Sequence, residues 1–473
     1  MNIILIILSS LFILINTRKY DNIKSDNYNN YVEFSFERNL TLSELISLEE
    51  LFKSLFYNQI YIKIKVGSKQ IEIPFYLYLQ QYSFIIESSE VSYDQVKGLY
   101  NESKSKTFTS SNKIETFMVM DMSEGILSQD IFFIKNNTLL DFYLCKKNND
   151  NSHITEGGKI GFKLETESAQ SEEAFFLTNL KNKNLISNLI FSIKYDSEKN
   201  DDKGNLYIGA YPHIIDSNKY NENYFTNDNA AQIYTKVEWA LNFQEIKLGK
   251  NVIESNCIAF LYLEIGYIIG TKNFFDFLLS LDIWNKYFNN NKCHKTKFNI
   301  DDYEKNIIDS KLADEYTIYY CDKDIDVTKI NIGELAFIDK SMSYSFNFSF
   351  AELWEEKNGY KYFKIIQHDY YNDYWYFGKP FFKKFQMVFD YDNKKIGLYT
   401  NILENEQTDN NNNNNKKQNI YIYILIIIGL VVIIIGLIIV LVKNYKKFTK
   451  RKRANELLDD NYDYETKEPN VVN

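Results

Sequence analysis

QIYIKIKVGSKQIEIPFYLYLQQYSFII, residues 59–86, decides the fold of this chain. The first half, IYIKIKV, alternates aliphatic side chains with Tyr and Lys, which is the period-2 pattern of a half-buried β-strand. Gly67 and Ser68 mark a turn, and a second apolar run begins at Ile71. We therefore predict a β-hairpin that opens a large domain.

The composition extends this prediction to most of the chain. The 473 residues are 45% hydrophobic and 16% aromatic, and they include 38 Tyr and 35 Phe. Aromatic and β-branched side chains fit the pleated, half-buried surface of a sheet, so we expect a mainly β protein with a sizeable core. The formal charge of -9 argues against nucleic acid as a partner, since phosphates need a basic surface.

Both ends of the chain carry addressing signals. Residues 3–15 are apolar but short, so we interpret residues 1–17 as a signal peptide. Residues 420–442 are uncharged and long enough to cross a bilayer, and Lys and Arg residues follow directly. These features predict a single-pass type I membrane protein with residues 443–473 as a cytoplasmic tail. The ectodomain would lie outside the cell or in the lumen of the secretory or endolysosomal system.

That oxidising compartment sets how the 4 cysteines are interpreted. Cys293 and Cys321 are candidates for a disulfide. Cys145 and Cys257 form either a second pair or two buried thiols, and the sequence leaves both open. Four glycosylation sequons fit the same compartment, and they begin at Asn39, Asn101, Asn136 and Asn347.

The segment ahead of the hairpin has its own pattern. Residues 31–36, YVEFSF, are strand-like, and Leu48 shares one helical face with Phe52. Leu45 and Leu55 extend that face. Thr41 and Glu44 form a Thr-x-x-Glu capping box, which predicts that the helix begins there. Residues 400–419, rich in Asn, are predicted to be a solvated stalk.

Residues 59–399 resemble the pepsin-like aspartic protease family in a series of blocks that follow the family's order. IYIKIKVG is similar to its first hairpin strand, YNESKSKTF to its Ser-x-Thr-Phe loop, SEGILSQDIFFI to the strand that leaves the flap, and GGKIGF to its Asp-Gly-Ile-Leu-Gly-Leu block. WYFGKPFFKKFQMVFDYDNKKIGLYT resembles its closing segment, and Cys293 and Cys321 match its second-lobe disulfide. The resemblance implies a bilobal fold with lobes at 59–240 and 241–399. Residues 18–58 are similar to a prosegment.

The chain departs from the family at the residues that carry the chemistry. Peptide hydrolysis in this family uses two aspartates, each in Asp-Thr/Ser-Gly, that share a proton. No such triplet occurs in this chain. Ungapped comparison places Tyr78 at the first aspartate and Tyr262 at the second. A frame shifted by two residues places Glu264 there instead, and Met118 stands where the flap usually carries Tyr.

We therefore expect a membrane-anchored homologue that is catalytically inactive and binds a peptide or protein partner in its interlobe cleft. The alternative is an active membrane-anchored endopeptidase with a degenerate site, supported by the fold resemblance alone. A third possibility is a surface structural protein with a closed cleft, in which Tyr78 and Tyr262 fill the site. The 4 histidines lie in no metal-binding motif, and no cofactor is expected.

Overall fold

The computed structural model describes residues 30–38, 47–80, 84–89, 92–93, 96–97, 99–117, 123–147, 157–164, 175–196, 203–233, 236–290, 292–299, 315–330, 332–368, 373–400 and 446. The chain divides into two compact units, Met1–Ile402 and Leu403–Asn473. The second unit is described only at Lys446, which is helical and exposed. The predicted signal peptide and membrane segment lie outside the described residues, as do residues 401–419 of the predicted stalk.

Within the described residues, the strands are β1 (Val32–Arg38), β2 (Ile60–Val66), β3 (Ile71–Tyr78), β4 (Phe84–Glu87), β5 (Ser92–Tyr93), β6 (Val96–Lys97), β7 (Thr109–Phe117), β8 (Ser123–Ile134), β9 (Asn136–Lys147), β10 (Gly158–Gly161), β11 (Ile190–Tyr195), β12 (Lys203–Ile208), β13 (Phe225–Asn229), β14 (Gln232–Ile233), β15 (Lys236–Val237), β16 (Ala240–Leu248), β17 (Asn251–Leu261), β18 (Ile268–Gly270), β19 (Cys293–Asn299), β20 (Glu315–Asp322), β21 (Leu335–Asp339), β22 (Tyr344–Phe348), β23 (Trp354–Lys357), β24 (Tyr360–Phe363), β25 (Ile365–His368), β26 (Trp375–Phe377), β27 (Met387–Asp390) and β28 (Lys395–Tyr399).

The helices of the same residues are short. They are α1 (Leu48–Phe56), α2 (Phe176–Asn182), α3 (Pro212–Ile215), α4 (Lys272–Ser280), α5 (Asp282–Phe288) and α6 (Lys379–Lys384). Four 3-10 turns add Glu102–Lys104, Glu222–Tyr224, Val327–Lys329 and Phe350–Leu353. The prediction of a mainly β protein is confirmed. None of these helices is both long and apolar enough to span a bilayer.

Over the described residues, most strands form two large sheets. The first sheet has thirteen strands in the order β13-β28-β27-β11-β12-β1-β2-β3-β10-β4-β9-β8-β7. The second sheet has eleven, in the order β22-β21-β16-β17-β26-β18-β25-β20-β24-β23, with β19 paired to β20. Two-stranded ribbons, β5-β6 and β14-β15, complete the set.

The predicted hairpin is confirmed as β2 and β3. The two strands are antiparallel, with Val66 opposite Ile71, and Gly67 has φ of 74°, which favours glycine. The loop that contains Ser105 and Thr107 contacts this turn. The Ser105 hydroxyl accepts the Ser68 N–H at 3.0 Å. The Thr107 hydroxyl donates to the buried carboxylate of Asp130 at 2.5 Å. The loop therefore holds the hairpin in place.

The helix ahead of the hairpin is confirmed, but its predicted start at Thr41 is wrong. The helix begins at Leu48, because Ser47 has extended backbone and caps it. The Ser47 hydroxyl accepts the Glu50 N–H at 3.2 Å, and the Glu50 carboxylate accepts the Ser47 N–H at 2.8 Å. This is a capping box whose two residues are three positions apart, as predicted, but at a different pair of residues. Thr41, Glu44 and Leu45 lie outside the described residues.

Candidate functional site

The two sheets repeat one local arrangement of strands. In the first sheet, β10 lies between β3, to which it is parallel, and β4, to which it is antiparallel. In the second sheet, β26 lies in the same way between β17 and β18. Leu77 faces Ile160 in the first arrangement, and Leu261 faces Phe377 in the second. Each of these pairs has a glycine directly after its second member, Gly161 or Gly378.

The repeated register makes Tyr78 the counterpart of Tyr262. Each tyrosine directly follows the leucine of its pair, so each stands at the end of its strand. The two side chains are 5% and 4% exposed. The Tyr78 carbonyl accepts the Phe162 N–H at 2.8 Å, and the Tyr262 N–H donates to the Phe377 carbonyl at 2.9 Å. Both tyrosines are therefore fixed by backbone pairing and buried.

Tyr78 and Tyr262 belong to one buried group of side chains, which we call the aromatic cluster. Its members are Leu51, Phe52, Leu55, Phe56, Tyr57, Tyr76, Tyr78, Tyr262, Ile265, Tyr267, Ile269, Phe298, Tyr316, Ile318, Tyr362, Ile366 and Tyr376. The Tyr262 ring lies 5.6 Å from the Tyr376 ring. Burial raises the pKa of Tyr267 and of Tyr362 well above the ordinary tyrosine value, so these phenols stay neutral.

Helix α1, which is no part of the repeated strand arrangement, contributes Leu51, Phe52, Leu55 and Phe56 to the aromatic cluster. Phe52 and Phe56 are fully buried. The Phe56 ring lies 5.0 Å from Tyr316 and 6.0 Å from Phe298, and the Phe52 ring lies 5.3 Å from Tyr320. These distances are typical of packed aromatic pairs. The helical face predicted from Leu48, Phe52 and Leu55 therefore covers the second sheet at β19 and β20.

Glu264 is a buried carboxyl beside these strand ends. It is 3% exposed, and its Oε1 atom accepts the backbone N–H of Leu79 at 2.6 Å and of Gln80 at 3.2 Å. Its Oε2 atom has no hydrogen-bond partner among the described residues. Burial raises the pKa of Glu264 to about 7, although hydrogen bonds from backbone N–H groups lower it in part.

A second contact runs in the opposite direction between the same segments. The Gln80 side-chain amide donates to the Leu261 carbonyl at 2.9 Å. Glu264 and Gln80 thus link the end of β3 to the end of β17 by three hydrogen bonds. The sequence named Glu264 only as the alternative to Tyr262 at the second aspartate position, and it indicated no role for Gln80. The contact depends on how the two sheets meet, which no local pattern reveals.

Another buried carboxylate, Glu254, lies on β17. It accepts hydrogen bonds from the Trp375 indole N–H at 2.9 Å, from the Cys257 thiol at 3.2 Å and from the Thr271 hydroxyl. Burial, with the hydrogen bond to Glu254, raises the pKa of Cys257 to about 12. Cys257 is therefore a neutral thiol rather than a nucleophile at physiological pH.

The remaining predicted residues fall in several places. The Cys293–Cys321 disulfide is confirmed, and it joins directly opposite residues of β19 and β20. Cys145 and Cys257 are buried thiols. Met118 lies outside the described residues, as does Asn39. Of the other sequons, Asn136 is exposed, whereas Asn101 and Asn347 are half-buried, and their glycosylation stays a prediction.

Beyond the strand ends, the described residues form a surface pocket but no metal site. No group of three or more His, Cys, Asp or Glu side chains among them is arranged to hold a metal ion. A surface pocket lies by β1 and the β8–β9 turn, lined by residues that include Tyr31, Lys63 and Lys135. These residues are separate from the aromatic cluster, so the pocket is no part of the site between the strand ends.

Comparison with known proteins agrees with this architecture. Residues 76–400 match the family described as eukaryotic aspartyl protease. The match covers both strand ends, the Glu264 contacts and the closing strands β27 and β28. No curated protein matches the chain.

Proposed function

Because the chain belongs to the eukaryotic aspartyl protease family, we propose that it is a catalytically inactive, membrane-anchored member of it. One observation carries the proposal: Tyr78 and Tyr262, which the ungapped comparison places at the family's two aspartates, stand at equivalent strand ends, and both phenols are buried in the aromatic cluster. The family assignment itself implies a pepsin-like fold for the ectodomain.

The chemistry of this site supports inactivity. Activating a water requires two carboxyl groups that share one proton, so that one acts as base while the other polarises the peptide carbonyl. Phenols have pKa values near 10 and do not divide these tasks. Glu264 is a single carboxyl, and one of its oxygens is already bound to the N–H groups of Leu79 and Gln80. One engaged carboxyl does not replace the pair.

The same cluster bears on ligand binding. Phe52 and Phe56 are buried in the same aromatic cluster as Tyr78 and Tyr262, so a peptide that entered between the strand ends as an extended strand would have to displace side chains of this cluster. This burial supports a closed site rather than an open peptide-binding cleft, and partner proteins would then bind elsewhere on the ectodomain. Binding in the cleft stays a prediction that requires α1 to move away.

The membrane anchor rests on the sequence of residues 420–442 and the basic residues after it. In this topology the family domain faces the lumen or the cell exterior, where the Cys293–Cys321 disulfide is stable. Protease protection of the domain in sealed vesicles, lost when detergent is added, is the expected result. Digestion of the domain in intact vesicles that keep the lumenal side of the membrane inside, before any detergent is added, would contradict this orientation.

A cleavage assay tests the proposed inactivity. The full chain in detergent micelles is incubated with a diverse peptide library between pH 3.5 and pH 6, with and without pepstatin. We expect no cleavage above that of a mock preparation. Pepstatin-sensitive cleavage would overturn the proposal and favour the active, degenerate endopeptidase.

A further inference from the structure

We propose that β1 and the α1 segment, residues 32–38 and 47–58, are a permanent part of the folded protein that closes its interlobe site, rather than a prosegment that is removed. The inference rests on the proposed function, and it concerns how the same site is kept closed. Three features of the described residues support it: the position of β1 in the first sheet, the contacts of α1, and the length of chain between α1 and β2.

β1 is an interior strand of the first sheet. It lies between β12 and β2, with Val32–Glu37 opposite Lys203–Ile208 and Phe36–Arg38 opposite Ile60–Ile62. Phe36 is fully buried, and its ring packs edge-on against Tyr195 at 5.1 Å. Removing β1 would leave both neighbouring strands with unpaired backbone groups and open the core between them.

α1 and the residues after it are tied to the second sheet through the backbone. The Phe56 carbonyl accepts the Gly266 N–H at 2.6 Å, and the Asn58 N–H donates to the Glu264 carbonyl at 2.7 Å. The approach is so close that a Cβ on Gly266 would lie 1.8 Å from the Leu55 carbonyl oxygen. The segment therefore fits a surface that is shaped for it.

Two buried side chains strengthen this attachment. The Arg38 guanidinium donates to the carbonyl oxygens of Tyr57 at 3.0 Å and Leu55 at 3.4 Å, and so binds the carboxyl end of α1 to the end of β1. The Asn58 side-chain amide donates to the Tyr195 hydroxyl at 2.6 Å and to the Leu263 carbonyl at 2.7 Å. Asn58 thus joins both sheets at one point.

The described residues between α1 and β2 are too few to replace β1. α1 ends at Phe56 and β2 begins at Ile60, so only residues 57–59 lie between them. Three extended residues reach about 10 Å, which is about half the length of the six-residue pairing between β1 and β12. If the chain were cut directly before residue 57, the remaining amino terminus could not re-form the strand. A cut between β1 and α1 would leave α1 to be unfolded from its contacts before its residues could replace β1. This geometry favours retention of both elements.

Mass spectrometry and hydrogen exchange test the inference. The full chain is produced in a eukaryotic secretory host and held at pH 4 and at pH 7, and its amino terminus and amide exchange are then measured. We expect residues 32–58 to be present at both pH values, with amides of residues 51–58 exchanging at least 100-fold more slowly than in a free peptide. A folded protein whose sequence begins after residue 58 would overturn the inference, as would exchange within threefold of the free peptide.

An engineered cut gives an independent result. A specific protease site is inserted between Arg38 and Ser47, and the cleaved protein is passed over a sizing column at pH 4. The β1 fragment is expected to co-elute with the rest of the chain; its release from a still-folded protein would contradict the inference. Glu49→Gln, on the exposed side of α1, is the matched control for Phe52→Leu, which we expect to speed exchange in residues 51–58 by tenfold or more.

These measurements separate the inference from the proposed function. Retained residues 32–58 together with pepstatin-sensitive cleavage would refute the inactivity and leave the segment's permanence intact. A lost segment without cleavage would refute the permanence and leave the inactivity intact.

Discussion

The carboxylate of Glu264 accepts the backbone N–H of Leu79 at 2.6 Å, although the two residues are 185 positions apart. The contact joins the end of β3 in the first sheet to the loop after β17 in the second. It places the buried carboxyl of Glu264 in a structural bond between the sheets. Its other oxygen has no partner among the residues that the structure describes.

The first prediction concerns the pH dependence of stability. Burial raises the pKa of Glu264 from 4.5 to about 7, so between these pH values the folded protein keeps a proton that the unfolded chain releases. Protonated Glu264 therefore adds about 3 kcal/mol to the free energy of unfolding. This contribution is fully present below pH 4.5 and is lost as the pH rises through 7. Urea unfolding of the full chain at pH 4.5 and pH 7.5 measures it.

Glu264→Gln is the variant that isolates this effect. The amide does not titrate, and its oxygen can still accept the Leu79 N–H. We expect the variant to lose most of the stability difference between the two pH values. An unchanged difference would mean that other groups produce the pH dependence.

The second prediction concerns Gly266. Because a Cβ here would lie 1.8 Å from the Leu55 carbonyl oxygen, Gly266→Ala forces the backbone of α1 away from the second sheet. We expect a loss of about 3 kcal/mol or more in the free energy of unfolding. Gly270→Ala is the comparison, since its nearest contact is a side-chain methyl at 3.0 Å. Equal losses in the two variants would contradict the tight approach.

The third prediction concerns Phe56. Its ring is fully buried among Tyr267, Phe298 and Tyr316, so Phe56→Ala removes a large side chain and leaves a cavity. We expect a loss of about 3 to 5 kcal/mol in thermal or urea unfolding. A loss below 1 kcal/mol would show that α1 is only loosely seated on the cluster.

The fourth prediction concerns the disulfide. Cys293 and Cys321 are separated by 28 residues, and on the chain-entropy account the bond stabilises by about 3 to 4 kcal/mol. The Cys293→Ser/Cys321→Ser double variant should lose this amount and should no longer respond to reductant. Continued sensitivity of the double variant to reductant would implicate other thiols.

The sequence revealed the β-hairpin at Gly67 and the Cys293–Cys321 pair because both follow from local patterns or from family blocks. It also indicated the apolar face of α1. It placed the start of that helix at Thr41 rather than Ser47, since both positions offer a hydroxyl followed three residues later by Glu. Caps of equal quality are distinguished by tertiary contacts, which local sequence does not contain.

The candidate site was partly predictable for the same reason. An ungapped count placed Tyr78 and Tyr262 at matching positions, and the strand registers of the two sheets pair them in the same way. The bonds from Glu264 to Leu79 and from Gln80 to Leu261 were not foreseen. They join residues nearly two hundred positions apart, and only the meeting of the two sheets brings them together.

Pepstatin binding tests the central claim most directly, because the inhibitor needs both an open cleft and a pair of carboxyl groups. Isothermal titration of the full chain in micelles at pH 4.5 measures it, with an active family member as the positive control. We predict no detectable heat of binding at inhibitor concentrations that saturate the control. Stoichiometric binding with a dissociation constant in the micromolar range or below would contradict an inactive, closed site.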